Sequence, residues 1–218
     1  LVPRVEGRRI QRAKIAEPRL IRRRGTLHEL EAALRGQRVR TIGRRGKSLV
    51  FDLGRGSLVV RLGMTGQLLW SEGSDDFRPD QYTHAELIFD TGGILYYRDI
   101  RKFGEMFIVP TERVEDTLRV GVEPLEPRFT PEVLRRVCQS SSKIKSLLLN
   151  QTKIAGIGNI YADEALFRAG IRPTRRAASL RPEEIRSLRR AIRGVLQAGI
   201  RHRGSSISNY RDACGRPG

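Results

Sequence analysis

The chain has 218 residues, enough for one large or two small domains, and its 39% hydrophobic and 30% charged content describes a soluble globular protein. Forty-two lysines and arginines stand against 24 acidic residues, and the resulting formal charge of +18 calls for a polyanionic partner. Nucleic acid comes first, although an anionic membrane surface or ribosomal RNA would satisfy the same arithmetic. No apolar run approaches the length of a bilayer span and no signal peptide is visible, which argues against a membrane protein and points to the cytoplasm.

The chain opens on Leu1 instead of Met, which reads as a fragment or a processed product. Leu1-Val2-Pro3-Arg4 could be mistaken for a protease-site scar, but the continuation through Ile10 reads as native sequence. The first half is strand-like. Alternation of apolar and polar residues predicts strands over 38–42, 48–52, 58–62, 85–89, 94–97 and 105–109. Gly54-Arg55-Gly56 and Asp90-Thr91-Gly92-Gly93 are expected hairpin turns between them. One helix interrupts, over 27–34, with Leu27, Leu30 and Leu34 on one face and Gly36 as its stop. This pattern predicts a β-sandwich or barrel-like domain over residues 1–110.

Residues 111–127, entered at Pro110, read as a linker, and 128–218 read as helical. Thr130-Pro131-Glu132 looks like a cap with proline at the first helical position, opening a short helix to Cys138. From Lys145 to Gly170 the sequence predicts an amphipathic helix, a tight Gly156-Ile157-Gly158-Asn159 turn and a second helix closed by glycine. The glycines remove side chains where a phosphate could approach, and the free N–H groups of the second helix face the same spot. The same pattern also fits a helix hairpin closed by glycine for packing alone, and both readings stand at this point. Pro182 opens a longer helix with Ile185, Leu188, Ile192, Val195 and Leu196 on one stripe and arginines opposite, a face more often solvated than in contact. The end of the chain is polar and glycine-rich, and there is no internal repeat. Cys138 and Cys214 form no Cys-x-x-Cys pair, so neither a disulfide framework nor a metal site is expected.

Three further motifs lie in the β half: Arg44-Arg45-Gly46-Lys47 before a strand, Leu62-Gly63-Met64-Thr65-Gly66, and Asp99-Ile100-Arg101-Lys102-Phe103-Gly104. A lone Met or Phe is usually core. Apolar residues on glycine-flanked loops beside arginine are nevertheless what a protein needs to wedge open a base stack and replace an extruded base.

Taken together, RRGK (44–47), RLGMTG (61–66), RDIRKFGEM (98–106), IAGIGNIYADEALFRAGI (154–171) and the terminal SSISNYRDACGRPG (205–218) resemble bacterial formamidopyrimidine-DNA glycosylase. The resemblance runs through the whole chain in order, and the joint occurrence of these motifs is specific. It implies an α+β fold, with an N-terminal β-sandwich followed by an α-helical domain containing a helix–two-turns–helix motif. It also implies a base-excision-repair enzyme that removes oxidised purines (8-oxoguanine and formamidopyrimidines) and nicks the abasic site. The implied partner is double-stranded DNA carrying such lesions or abasic sites, bound by a monomer without any membrane. In the family an N-terminal proline amine attacks the sugar C1′ to form a Schiff base, with the adjacent glutamate as acid, and no organic cofactor is required.

The resemblance also carries residue roles. Lys47 matches a lysine that reaches the active site, whose plain alternative is one phosphate contact among many. Met64, Arg101 and Phe103 match the residues that fill the gap in the duplex, with Arg101 facing the orphaned cytosine. His84 matches a DNA-contacting histidine, though such a histidine is more often a structural hydrogen-bonder. Lys145, Gly158 and Asn159 match the phosphate-binding helical element. Ser205, Ser206, Tyr210 and Arg211 match a loop that closes over the everted base, where an ordinary surface loop is the alternative.

The sequence departs from the family at both ends. Leu1 aligns some way into the pattern, so the family's Pro-Glu start is absent. The ligands of its C-terminal structural zinc are absent too. Ser140-Ser141-Ser142 stands where relatives often carry a basic residue. These 218 residues are therefore expected to lack Schiff-base and lyase activity, with no adduct on borohydride trapping, and to bind damaged DNA weakly. Two other functions compete with this one. One is endonuclease VIII, which favours oxidised pyrimidines, although the complete Met64–Arg101–Phe103 set favours the purine branch. The other is a non-catalytic nucleic-acid-binding module.

Overall fold

The computed structural model describes residues 1–22, 25–72, 77–202 and 204. They divide into two units, 1–117 and 118–204.

In the first unit a short helix α1 (Val2–Val5) precedes eight strands: β1 (Ile10–Ile15), β2 (Thr41–Arg45), β3 (Ser48–Asp52), β4 (Gly56–Arg61), β5 (Gly66–Ser71), β6 (Thr83–Phe89), β7 (Ile94–Asp99) and β8 (Glu105–Pro110). They form two antiparallel four-stranded sheets, ordered β1-β6-β7-β5 and β2-β3-β4-β8. Both sheets turn side chains into a single core. Leu87, Phe89, Leu95, Tyr97 and Trp70 come from one, and Phe51, Leu58, Val60 and Met106 from the other. This is the expected sandwich.

Both predicted glycine turns join paired strands. Gly54 takes φ +99° between β3 and β4, and Gly92 takes φ +92° between β6 and β7. Helix α2 (Leu27–Leu34) begins with a reciprocal capping box. The Glu29 N–H donates to Thr26 Oγ1 at 3.1 Å, and the Thr26 N–H donates to Glu29 Oε2 at 2.7 Å. Its Glu31 carboxylate accepts from the Ile15 N–H at 2.6 Å, which ties the helix to β1.

Three strands depart from the sequence reading. The strand expected over 38–42 is Thr41–Arg45 instead, because Arg38 bridges to Arg9 and Val39 is drawn into the core outside the sheet. β1 escapes a period-2 search because a register shift between Ile10 and Arg12 puts its buried residues at 10, 13 and 15. β5 is missed because four of its last residues, Leu68 to Ser71, are all buried, so it shows no alternation.

A further helix α3 (Val114–Leu118) leads into the second unit, which carries α4 (Pro131–Val137), α5 (Ile144–Leu149), α6 (Asn159–Ala169) and α7 (Pro182–Arg201). Thr130 caps α4 by accepting from the Val133 N–H, and Pro131 fits the first turn, where its missing donor costs nothing. Cys138 ends this helix as its C-cap and sits in the helical core with Phe129, Leu148, Ile157 and Leu166. The predicted stripe of α7 packs into the same core through Ile185, Leu188, Ile192 and Val195. Part of its opposite face is structural. The Arg189 guanidinium donates to the Phe129 carbonyl, and that of Arg193 donates to the Pro124 carbonyl at 2.7 Å. Among the described residues no helix is long and apolar enough to cross a membrane.

Candidate nucleic-acid interface

Two connections in the first unit cross from one sheet to the other, β4 to β5 and β7 to β8. They run side by side because the strands flanking them are paired, Gly66 with Asp99 and Arg61 with Glu105. Met64 stands on the first connection, and Arg101 and Phe103 on the second. Glycine makes both tight. Gly63 takes φ +63°, and a Cβ there would meet the Phe103 backbone. A Cβ on Gly104 would collide with the Tyr97 hydroxyl and the Arg61 carbonyl.

The three side chains converge. Arg101 Nη1 lies 3.2 Å from Met64 Sδ, and the guanidinium carbon is 4.7 Å from the Phe103 ring centroid. Met64 is 70% exposed and Phe103 is 48% exposed, an arrangement unusual for apolar residues without a partner. The second connection is braced from outside by Lys102, whose ammonium pairs with Glu17 at 2.5 Å, and by Arg22, which donates to the Phe103 carbonyl at 2.7 Å. The Lys102 hydrogen bond holds the Glu17 carboxyl below its usual pKa. Pro18, Arg19, Arg22, Arg101, Lys102 and Phe103 line an adjoining cavity of about 470 Å³.

Lys47 occupies the tip of the β2–β3 hairpin. Arg45 pairs with Ser48, leaving Gly46 and Lys47 as the two turn residues, and Gly46 takes φ +59° as the first position of a type II′ turn requires. Arg44 Nη1 donates to the Gly46 carbonyl at 2.7 Å. The Lys47 side chain is exposed at the tip, yet loss of hydration against the surrounding protein lowers its ammonium pKa. His84 is only 5% exposed, and its Nε2–H donates to the Asp99 carbonyl at 2.8 Å.

In the second unit α5 and α6 are joined by residues 150–158. Gln151, which the sequence reading did not single out, clasps this turn. Its amide nitrogen donates to the Leu149 and Ile157 carbonyls at 2.9 and 3.0 Å, and its oxygen accepts from the Gly156 N–H at 2.9 Å. Gly156 takes φ +81°, and Gly158 caps α6 with no side chain of its own. No side chain caps the start of this 11-residue helix, which carries the positive end of its dipole. Asn159 is its exposed first residue. Lys145 on α5 pairs with Asp163 on α6 at 2.8 Å and remains partly exposed.

Ser205, Ser206, Tyr210 and Arg211 lie outside the described residues, as does Cys214. Among the described residues no group of three or more His, Cys, Asp or Glu could hold a metal. Cys138 does not suit one either, since burial raises its thiol pKa to about 11. These residues do not fit the zinc that the family implies.

An exposed cationic and apolar cluster on a β-sandwich, together with a glycine-turn helix start on a helical unit, is the chemistry of a nucleic-acid-binding protein. A family model described as the formamidopyrimidine-DNA glycosylase N-terminal domain matches residues 1–106, and one described as that enzyme's H2TH domain matches residues 120–211. The chain is 40% identical over its full length to a formamidopyrimidine-DNA glycosylase of Pelotomaculum thermopropionicum, covering 80% of it. It is 44% identical over its full length to one of Symbiobacterium thermophilum, covering 72%. Wild-type Lactococcus lactis Fpg in complex with N7-benzyl-Fapy-dG containing DNA superposes with a TM-score of 0.88 at 32% identity, over 99% of this chain and 80% of that one. The chain belongs to the formamidopyrimidine-DNA glycosylase family and is a DNA glycosylase of base-excision repair.

Proposed function

We propose that this protein recognises oxidised purines, 8-oxoguanine and formamidopyrimidines, opposite cytosine in double-stranded DNA, excises them and nicks the abasic site. It acts as a monomer in the cytoplasm. The observation that carries this reading is the convergence of Met64, Arg101 and Phe103 on two adjacent crossovers.

Extruding a base costs a few kcal/mol of stacking and pairing. An aromatic side chain stacked in the gap returns about 1–3 kcal/mol, and a bidentate arginine contact about the same again. Phe103 supplies the first, Arg101 supplies the second to the acceptor edge of the orphaned cytosine, and Met64 fills the remaining volume. Together they offset the extrusion. Lys145, Asn159 and the start of α6 hold backbone phosphates, which positions the duplex without reading its sequence. Lys47, with its ammonium pKa already lowered, is suited to exchange a proton near the damaged nucleotide. The burial of His84 supports a role in holding the Asp99 backbone.

The test is equilibrium binding of the 218-residue chain at fixed salt. Four duplexes are compared, carrying 8-oxoguanine opposite cytosine, an abasic analogue opposite cytosine, thymine glycol, or no damage, together with an RNA duplex. Tighter binding to the first two is expected. Preference for thymine glycol would move the assignment to the oxidised-pyrimidine branch, and equal binding to all five would leave only a general nucleic-acid binder.

A further inference from the structure

Asp99 is 1% exposed, and among the described residues its carboxylate forms no ion pair, in a chain with abundant arginine. It is instead surrounded by four neutral donors. Oδ1 accepts from Thr65 Oγ1 at 2.5 Å and from the Arg101 N–H at 3.2 Å. Oδ2 accepts from the Gly104 N–H at 2.8 Å and from the Tyr97 hydroxyl at 3.2 Å. Burial alone would raise this carboxyl, but the four hydrogen bonds outweigh it and hold the pKa below its ordinary value. The backbone of Asp99 is pinned as well, since its N–H donates to the Tyr82 carbonyl and its carbonyl accepts from His84.

Three of these donors lie on the two plug connections, and the fourth, Tyr97, is on β7. Thr65 follows Met64 on the first, whereas Arg101 and Gly104 bracket Phe103 on the second. Thr65 closes the link, because its hydroxyl donates to Asp99 while its oxygen accepts from the Arg101 N–H at 3.1 Å. We propose that Asp99 is the positioning residue of the plug, acting with Thr65. Its carboxylate locks the two crossovers together, so that Met64, Arg101 and Phe103 meet DNA already assembled. Only an ionised carboxylate offers two oxygens that both accept, which is what four converging donors demand. An asparagine would turn an NH2 group toward two of them. Assembling the plug beforehand spares the complex the ordering of three long side chains during base extrusion. The effect falls on damaged or abasic duplexes, where the gap must be filled, and not on phosphate contacts.

This inference rests on the base-excision reading for the purpose of the plug, so its test combines a DNA measurement with one made on the free protein. The chain has two methionines, Met64 exposed and Met106 buried, so methyl-13C-methionine labelling gives two assignable signals. Thr65→Val is expected to narrow the Met64 methyl line toward that of a freely rotating side chain. It should also lower the preference for an abasic-analogue duplex over undamaged DNA about tenfold, the size of one lost hydrogen bond to a buried charge. Affinity for undamaged DNA should not change. Thr65→Ser should restore both signals, and Asp99→Asn should lose at least as much as Thr65→Val. Tyr97→Phe removes a bond that reaches Asp99 from within β7 and leaves the Thr65–Asp99–Arg101 link between the crossovers in place, so it should lower the melting temperature yet keep the preference.

The proposal is overturned if Thr65→Val leaves the Met64 line and the preference intact. It is also overturned if Tyr97→Phe and Thr65→Val lose preference in proportion to their melting temperatures. A wild-type chain with no abasic preference, but with a Met64 line that responds to Thr65→Val, would uphold the positioning and sink the base-excision reading.

Discussion

Replacing Phe103 by alanine separates the plug from the charge of the chain. The ring is half exposed, and the Arg101 guanidinium lies over it at 4.7 Å, an exposed cation–π pair worth about 0.5–1 kcal/mol. The Phe103 carbonyl keeps its bond from Arg22, because that bond belongs to the backbone. The free protein should therefore lose no more than about 1 kcal/mol and remain folded. On DNA the loss is larger, since a base stacked on an aromatic ring is worth about 1–3 kcal/mol, or roughly five- to hundredfold in affinity. That loss should appear on a duplex with an abasic analogue opposite cytosine and be nearly absent on undamaged DNA, where no gap exists. No charge is removed, so the slope of log affinity against log salt should stay as in the wild type. Fluorescence anisotropy on both duplexes over a salt series measures all three quantities. Equal weakening on the two duplexes, or a change of slope by about one unit, would show that Phe103 is not a wedge.

Three other perturbations test separate parts of the structure. Lys145→Ala should weaken all duplexes alike and reduce the salt slope by about one unit, whereas Asp163→Asn should strengthen them by releasing the Lys145 ammonium; the same salt titrations decide both. Gly104→Ala forces a methyl group onto the Tyr97 hydroxyl and the Arg61 carbonyl, so urea unfolding should show a loss of about 1–3 kcal/mol. The Arg175 side chain holds the Glu184 carboxyl at a pKa of about 2, below the ordinary 4.5, aided by the Arg181 N–H. The stabilisation from this depressed carboxyl is complete above the unfolded value and disappears as pH falls from there toward 2. Melting temperatures between pH 6 and pH 2 should therefore drop less steeply in Glu184→Gln than in the wild type.

The sequence was most legible where local chemistry alone decides the structure. Thr26 and Glu29 form a capping box whose bonds close within three residues, and the leucines of α2 repeat on one face, so its limits follow from adjacent side chains. The hairpin turns at Gly54 and Gly92 were readable for the same reason. What failed depended on distant partners. The shift in β1 is imposed by its pairing with β6, more than 70 residues away, as in Ile10 with Phe89. β5 lies against β7 and is covered on both faces, so its Leu68-Leu69-Trp70 run carries no period to read. β2 is polar and largely exposed, and its strand character comes from the hairpin with β3.

The candidate site divides in the same way. Met64, Arg101 and Phe103 stood out because apolar residues between glycines are conspicuous, but the groups that hold them were invisible. Asp99 reads in sequence as one acid among 24, and its function emerges only when β5 and β7 bring Gly66 beside it. Gln151 likewise gains meaning only when the turn folds back onto its amide. The charge of +18 misleads in a related manner. Arg45, Arg61, Arg98, Lys102, Lys145 and Arg175 are each paired with an acid, while Arg189 and Arg193 are spent on backbone carbonyls. Total charge therefore overstates what faces DNA. A salt-sensitive attraction brings any duplex to this protein, but it cannot tell a damaged base from a sound one. In the function proposed above, that distinction falls to three side chains that fill the gap left by an extruded base. The proposed alignment rests on neutral hydrogen bonds that converge on the buried Asp99 carboxylate, a feature that composition cannot register.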